Sequence, residues 1–226
     1  MDPVVLSWSG GKDSALALAR LRADARVDVV GLVTTVTSVY DRVSIHGVRR
    51  SLLREQAAAL DLPLHEIELA PQSSNEAYEA AWQAAFENLP GRMQEARHIA
   101  FGDIFLRDVR EYRQQLAGQL GYETVFPLWG ESTRTLADQM IESGIVATIV
   151  CVDTEVMSAD VAGRRFDATF VAALPATIDP CGERGEFHTF VSFGPGFETP
   201  VEFTVGETVV RDERFAFCDL LPAVTA

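Results

Sequence analysis

Lysine is almost absent from this chain of 226 residues. Lys12 is its only lysine, whereas it contains eighteen arginines. An arginine guanidinium is a wide planar fork, whereas a lysine ammonium is a compact point charge on a flexible stem. A position that keeps lysine in so arginine-rich a composition indicates a place where a guanidinium does not fit. The two residues before it are Gly10 and Gly11, and glycines beside a lysine are typical of a turn that binds phosphate.

Positive charge is scarce as well, with 19 basic against 33 acidic residues and a net charge of -14. Proteins that bind the nucleic-acid backbone normally present a basic face, so we expect no nucleic-acid partner. No apolar run reaches the roughly 18 residues of a membrane-spanning helix, so we expect no membrane segment. Three separated cysteines, Cys151, Cys181 and Cys218, favour a reducing, cytoplasmic compartment over a disulfide framework or a zinc site.

Predicted strands and helices alternate along the first part of the chain. Apolar runs rich in β-branched residues predict strands at residues 3–8, 27–36, 64–69 and 98–101, with amphipathic helices between them. This alternation predicts an α/β fold with a doubly wound parallel sheet. Later alternating patterns, at residues 188–193 and 201–210, indicate antiparallel strands. We therefore expect a first domain over residues 1–125 and a smaller α+β substrate-binding domain over residues 126–226.

The loop between the first predicted strand and helix reads Ser9-Gly10-Gly11-Lys12-Asp13-Ser14. In this order a loop directs backbone N–H groups and a helix N-terminus toward an anion, so we expect all six residues to bind nucleotide phosphates. Gly10 and Gly11 can adopt positive φ, and Lys12 adds charge. Asp13 is a candidate ligand for Mg²⁺, which prefers carboxylate and phosphate oxygens. A β–α turn without a ligand is the alternative. The loop is not a Walker A motif, because Leu6 stands where that motif requires glycine.

The hexapeptide resembles the PP-loop of the N-type ATP pyrophosphatases, which cleave ATP between its α and β phosphates. The resemblance implies the HUP, or adenine nucleotide alpha hydrolase-like, form of the doubly wound fold. It also implies that the loop binds the β and γ phosphates and leaves the α-phosphorus open to attack by a substrate oxygen. The products are then an adenylated intermediate and pyrophosphate.

Four further segments narrow the resemblance, and they lie at residues 42–49, 101–104, 126–129 and 179–189. As a set they resemble the diphthine–ammonia ligase family and its bacterial relatives of unassigned substrate, over nearly the whole chain. The resemblance implies a ligase that uses ATP and Mg²⁺ to adenylate a carboxylate and amidates it with ammonia. The chain has Phe187 and His188 where the eukaryotic and archaeal ligases typically have Tyr-Glu, so the resemblance leaves open whether diphthine is the acceptor.

Two other functions use the same loop. A nucleotide-binding sensor needs the loop but no turnover. A tRNA-modifying sulfur transferase would need a cysteine pair and a basic surface, and the sequence offers neither. The identity of the acceptor and the oligomeric state do not follow from the sequence.

Three residues are candidates for binding other parts of the nucleotide. Gly102 and Asp103 end the fourth predicted strand, near the point where strand order reverses and ligands bind in a doubly wound sheet. Gly102 allows a close backbone approach to the nucleotide, and Asp103 can bind ribose or a metal; a turn glycine with a helix-capping aspartate is the alternative. Thr34 ends the second predicted strand, where related folds contact adenine, although strand propensity explains a threonine there equally well.

Four residues are candidates for catalysis alongside Lys12. His46 precedes a predicted helix and can bind the α-phosphate or transfer a proton near neutral pH, with a structural or exposed histidine as the alternative. Glu183, Glu186 and His188 lie in a glycine-rich segment. They can bind ammonium or act on it as a general base, because ammonia must lose a proton to become a nucleophile. Exposed glutamates in a turn are the alternative.

Overall fold

The computed structural model of this protein describes residues 1–43 and 47–223. The first half contains β1 (Asp2–Ser7), α1 (Lys12–Ala23), β2 (Val27–Thr37), β3 (Arg42–Val43), α2 (Arg50–Ala59), β4 (Leu64–Leu69), α3 (Asn75–Phe86), β5 (His98–Ala100), α4 (Arg107–Gln119) and β6 (Glu123–Val125). The second half contains α5 (Thr133–Glu142), β7 (Val146–Asp153), β8 (Arg165–Phe166), α6 (Ala168–Ala173), β9 (Phe187–Phe193), β10 (Phe203–Arg211) and β11 (Phe215–Pro222).

The first sheet is built on five parallel strands in the order β4-β2-β1-β5-β6. The short strand β3 adds antiparallel to the last residues of β2. This arrangement confirms the predicted α/β fold, a Rossmann- or HUP-like core in which helices alternate with parallel strands. Strand order reverses between β1 and β5, and the carboxyl ends of these neighbouring strands open a crevice at that edge of the sheet.

Helices cover both faces of the parallel sheet, which explains why its strands are continuous apolar runs. Side chains of a strand point alternately to opposite faces. Val4 and Leu6 therefore belong to one buried cluster, together with side chains of α1 and α2, and Val5 belongs to another with side chains of α3 and α4. Trp82 of α3 and Met93 are buried in this second cluster.

The second sheet is antiparallel and lies in the order β10-β11-β7-β8, with β9 also paired to β7. Its antiparallel character was predicted from residues 188–193 and 201–210. The expected division at residue 125 stays a prediction. The parallel sheet ends with Val125, but one buried cluster contains side chains from both halves, such as Leu16 of α1 and Phe190 of β9.

Candidate functional site

The loop between β1 and α1 adopts, at one position, a backbone conformation that favours glycine. Gly10 has a φ of 77°, and a Cβ atom there would lie 2.9 Å from Oε1 of Gln56. Gly11 is extended, with a φ of -94°, so the positive φ expected at both glycines occurs at Gly10 alone. Gly11 also caps α1 without any side-chain hydrogen bond, which leaves backbone donors at the start of the helix.

The start of α1 presents hydrogen-bond donors to an incoming anion. Among residues 1–43 and 47–223, the backbone N–H groups of Asp13 and Ser14 have no acceptor. Ser9 Oγ accepts from the N–H of Gly11 at 3.3 Å and donates to Ser14 Oγ at 3.1 Å. Ser14 Oγ donates to the Gly11 carbonyl at 2.9 Å. The loop is therefore braced internally, while free N–H groups and the positive end of the helix dipole remain for an anion.

The Lys12 side chain is enclosed, with 1% of its surface exposed. Its Nζ lies 5.5 Å and 5.3 Å from the ring centroids of Phe166 and Phe187. Nζ donates to the carboxylate oxygens of Asp13, at 3.0 Å and 2.9 Å, and to the carbonyl oxygen of Cys181. Burial alone would lower the pKa of Lys12, but the charge and hydrogen bond of Asp13, together with the charges of Cys181 and Glu183, outweigh burial and raise the pKa. The ammonium thus joins the loop to the Cys181 segment, and its binding to phosphate stays a prediction.

Main-chain atoms of the loop also bind β9. The N–H of Lys12 donates to Thr189 Oγ1 at 3.1 Å, across 177 residues of sequence. The N–H of Val191 donates to the carbonyl oxygen of Gly10 at 2.8 Å. The conformation of the loop therefore depends on the second sheet.

Carboxylates of residues 179–186 hold the turn that those residues form. Asp179 Oδ1 accepts from the N–H groups of Cys181 at 2.9 Å and Glu183 at 3.3 Å. Glu186 is 6% exposed, and its two oxygens accept from the N–H groups of Asp179 at 2.9 Å and Arg184 at 3.0 Å. These contacts favour a structural role for Glu186 over the catalytic role that the sequence predicted.

Glu183 is the carboxylate of this turn that reaches the parallel sheet. Its Oε1 accepts from the N–H groups of Ile104 at 2.7 Å and Phe105 at 3.4 Å, just beyond β5. Burial raises the pKa of Glu183 to about 7; the hydrogen bond from Ile104 opposes this shift, and the charges of Asp13 and Asp103 add to it. A carboxyl group with a pKa near neutrality can take up or release a proton at physiological pH.

The loop, the residues after β5 and the turn at residues 179–186 line one cavity of about 330 Å³. The predicted site residues that line it are Ser9, Asp13, Ser14, Gly102, Asp103, Glu183 and His188. Lys12 and Glu186 are not among its lining residues. The structure therefore brings together candidates that are up to 179 positions apart in the sequence, from Ser9 to His188.

Gly102 and Asp103 shape the wall of the cavity after β5. A Cβ atom at Gly102 would lie 3.2 Å from the backbone nitrogen of Ser14, so this glycine lets the sheet approach the start of α1. Asp103 forms an ion pair with Arg113, whose Nε lies 3.9 Å from the carboxylate. Burial raises the pKa of Asp103, whereas the charge of Arg113 opposes that shift. Arg113 also donates to the Tyr78 hydroxyl at 3.1 Å.

Thr34 does not line this cavity. Thr34 in β2 is 3% exposed, and its Oγ1 is buried without a hydrogen-bond partner in the described part of the chain. A ligand group would satisfy that hydroxyl, and its contact with a nucleotide stays a prediction. His46 falls outside the described residues.

Gln56 contacts the loop at Gly10 and was not predicted as a site residue. It is fully buried in α2, and its Oε1 accepts from Trp8 Nε1 at 2.9 Å. Its Nε2 donates to the carbonyl oxygens of Gly10 at 3.0 Å and Val191 at 2.5 Å. A glutamine on the apolar face of a helix, one turn after Leu52, was the signal that could have found it.

Replacing Gln56 with leucine is expected to lower the free energy of unfolding by about 2–3 kcal/mol, because buried polar partners lose their hydrogen bonds. It should also weaken nucleotide binding, since the Gly10 carbonyl loses a brace. Denaturant unfolding and calorimetric titration with ATP measure the two effects. Gln83→Leu, on the exposed face of α3, is the control. Unchanged stability and affinity in the Gln56 variant would show that the brace is dispensable.

Comparison with protein families gives two matches, which together cover almost the whole chain. The family model described as the diphthamide synthase N-terminal domain matches residues 1–124. The one described as the diphthamide synthase C-terminal domain matches residues 132–221. No curated protein matches the chain. The matches confirm the family that the motifs predicted, and the chain belongs to the diphthamide synthase family.

Proposed function

We propose that this chain is an ATP-dependent ligase that adenylates a carboxylate and then amidates it with ammonia. One observation carries the proposal: the loop, the end of β5 and the turn at residues 179–186 line the same cavity. A ligase must hold the phosphates of ATP within reach of its acceptor. First, an acceptor oxygen bonds to the α-phosphorus and the bond to pyrophosphate breaks. Then the ammonia nitrogen bonds to the acyl carbon, AMP leaves and one proton is released.

The loop supports binding of the pyrophosphate part of ATP. The N–H groups of Asp13 and Ser14 and the dipole of α1 provide donors for phosphate oxygens. The hydroxyls of Ser9 and Ser14, 3.1 Å apart, can rotate toward the same oxygens. Donors placed where charge develops on the leaving pyrophosphate stabilise the transition state more than the ground state.

Magnesium belongs to the same proposal. Asp13 and Asp103 line the cavity, and Mg²⁺ is usually bound by one or two carboxylates together with substrate phosphates. Within residues 1–43 and 47–223, no three histidine, cysteine or acidic side chains are grouped to hold a metal alone, so phosphate oxygens would have to complete the site. The charge of Asp13 raises the pKa of Asp103 and Glu183, and a cation would relieve this repulsion. Bound Mg²⁺ would offset the charge of the pyrophosphate.

Glu183 is the group best suited to act on ammonia. Ammonium must lose a proton before its nitrogen can attack, and the pKa of Glu183 is about 7, which suits a general base at neutral pH. His188 lines the same cavity and can share this role or orient the acceptor. We propose no catalytic role for Glu186, whose oxygens bind its own turn.

The sulfur-transfer alternative is poorly supported by the cysteine that lines the cavity. Burial raises the pKa of the Cys181 thiol, and its Sγ lies 3.2 Å from the carbonyl oxygen of Thr133. Sulfur transfer requires a thiolate, which a raised pKa disfavours. The sensor alternative needs only the loop. A sensor would bind ATP without consuming it, whereas the ligase would consume it.

With ATP, ammonia and an accepted carboxylate, the protein is expected to release AMP and pyrophosphate in equal amounts together with an amide. Screening a metabolite extract for AMP release, followed by mass identification of the amidated product, gives the measurement. A reaction without ammonia is the control and should yield no amide. Release of ADP and phosphate would contradict the proposal, and ATP binding without consumption would favour the sensor.

Two broader assignments accompany the ligase proposal. We propose that residues 1–125 bind ATP and that residues 126–226 supply the acceptor side, because the turn and β9 belong to the second part. We also propose a cytoplasmic location without a nucleic-acid partner, in keeping with three unpaired, buried cysteines. In the described part of the chain, no helix has the length and apolarity to cross a membrane.

A further inference from the structure

Strand β10 forms an open edge of the second sheet. Its nine residues, Phe203–Arg211, pair with β11 on one side. In the described part of the chain, no strand pairs with its other side. The N–H and C=O groups of an open edge are a template for a further strand, and proteins commonly block such edges with lysine, proline or a bulge. β10 contains neither lysine nor proline. A register shift lies between Val205 and Thr208, but residues 208–211 pair regularly, so the edge beyond the shift is open to pairing.

The end of β10 also exposes apolar side chains on both faces. Residues 207–211 are all exposed. Val209 and Val210 are 47% and 51% exposed, and as neighbours in a strand they point to opposite faces. Val205 on the same strand is 56% exposed. Single exposed valines are ordinary, but several together on one open edge indicate an interaction surface. A strand laid against this edge buries part of these side chains.

The charges of β10 indicate which strand fits beside it. Glu207 and Arg211 lie two positions to either side of Val209, so all three side chains point to the same face. When a second copy of β10 runs antiparallel with its own Val209 opposite this one, each Glu207 lies opposite the Arg211 of the other copy. Opposite charges directly across an antiparallel pair stabilise it. Neither side chain forms an ion pair within the described residues, so both are available for this contact.

Neighbouring two-fold registers lack this complementarity. Centring the pair on Glu207 places two carboxylates opposite each other. Centring it on Val210 places Glu207 level with Glu213 of the following turn, again two carboxylates. Centring it on Thr208 places Glu207 opposite Val209, without a charged partner. Like charges opposite each other are destabilising, so the sequence of β10 favours a second copy of itself in one register.

We propose that two copies of this chain associate through β10, in antiparallel register about a two-fold axis at Val209. Backbone hydrogen bonds join the two second sheets into one, and two pairs of Glu207 with Arg211 fix the register. Each copy contributes the same edge, so the pairing closes at a dimer. Five facing residues make a small interface, and we expect a dissociation constant on the order of micromolar. This inference does not depend on the proposed ligase function.

Sedimentation velocity with the full chain, from about 1 to 100 μM, measures the association. Each copy carries a net charge of -14, so the two copies repel each other at long range. The ionic strength is therefore held at about 0.15 M, where charges more than about 8 Å apart are largely screened. We expect the wild type to show an equilibrium between monomer and dimer.

Charge exchange tests the register. Glu207→Arg and Arg211→Glu each place like charges opposite each other twice, so each should raise the dissociation constant about tenfold or more. The double variant Glu207→Arg/Arg211→Glu exchanges the two charges and should restore the association of the wild type. Both side chains are exposed, so the circular dichroism spectra of all three variants should match that of the wild type.

Cysteine cross-linking locates the two-fold axis. Residues directly opposite in an antiparallel pair have Cα atoms about 4.5–5.5 Å apart, within the range of a disulfide. Val209→Cys should therefore give a disulfide-linked dimer under mild oxidation. Val205→Cys is the matched control, because Val205 is as exposed as Val209 but lies roughly 25 Å along the strands from its counterpart. The three native cysteines are buried.

Three results would overturn the inference. The first is a wild type that stays monomeric up to about 100 μM, which would leave the edge of β10 to a strand of another protein. The second is a dissociation constant that is unchanged in both single charge variants, or not restored in the double variant. The third is equal cross-linking through Val205→Cys and Val209→Cys, which would indicate random collision.

Discussion

Replacing Lys12 with arginine is expected to reduce AMP formation about a hundredfold or more, although the substitution conserves charge. The side chain is 1% exposed and lies between two aromatic rings, so the wider guanidinium must displace its neighbours. One of these is the carbonyl of Cys181, two residues before Glu183. A shift of about 1 Å in a catalytic segment can lower a rate about a hundredfold.

A second variant of Lys12, compared with a control at Arg134, shows which property of the lysine is needed. Lys12→Met retains the length and packing of the side chain but leaves Asp13 without its ion pair, so AMP formation should fall here too. Arg134→Lys, which alters an exposed arginine paired with Asp138, is the control and should behave as the wild type. Rates are compared with thermal unfolding curves, which separate lost catalysis from lost folding. Normal AMP formation by Lys12→Arg would mean that the single lysine is an accident of composition.

Replacing Glu183 with glutamine is expected to slow amide formation by ammonia about a hundredfold or more, the usual effect of removing a general base. Glutamine keeps an oxygen that can accept from Ile104 N–H, so the turn should retain its place. Hydroxylamine is largely uncharged at neutral pH and needs no deprotonation, so hydroxamate formation should be affected much less than amide formation. Equal loss with both nucleophiles would assign Glu183 to positioning.

The pH dependence of the same variant follows from the pKa of Glu183, which rises from 4.5 to about 7 in the folded chain. The ratio of wild-type to variant amidation rates should increase with pH and level off above that value. Stability changes in the opposite sense, because the folded chain holds the proton more tightly than the unfolded chain. This contribution to stability is fully present below pH 4.5 and is lost as the pH rises to about 7.

Denaturant unfolding at two pH values checks that sign. At pH 8 the free energy of unfolding of the Glu183→Gln variant should equal that of the wild type or exceed it by on the order of 1 kcal/mol, since the variant carries no buried charge. Glu186→Gln is the contrasting variant, because both oxygens of Glu186 accept backbone hydrogen bonds. It should lose stability at both pH values. A Glu183 variant that is less stable than the wild type at pH 8 would contradict the assignment of a raised pKa.

The parallel sheet could be predicted because its strands are apolar runs separated by amphipathic helices, a pattern visible within each short stretch of sequence. The pairing of residues 146–153 could not be predicted in this way. Their apolar run predicts a strand, but its antiparallel partners include residues 187–193 and 215–217. Choice of partner depends on packing between distant segments. Strand β11 was not predicted at all, although Ala216, Cys218 and Leu220 alternate as its buried face.

In the candidate site too, some features follow from local sequence and others depend on contacts between distant segments. A glycine-rich loop before a helix predicts an anion site, since backbone donors and the helix dipole are local properties. The enclosure of Lys12 is not local, because the carbonyl that its Nζ binds lies 169 residues further along the chain. Glu183 and Glu186 have the same chemistry and lie three positions apart, yet only the folded turn shows that one lines the cavity and the other holds the backbone.

The bonds between the loop and β9 also bear on how the chain is made. Gly10 and Lys12 leave the ribosome before Val191 and Thr189, which brace them and follow about 180 residues later. The parallel sheet can begin to assemble on the nascent chain, but its nucleotide loop acquires its native braces only after Thr189 and Val191 have been synthesised. Contacts so far apart in sequence slow folding. They also delay a competent nucleotide site until the segment that would use the nucleotide is present.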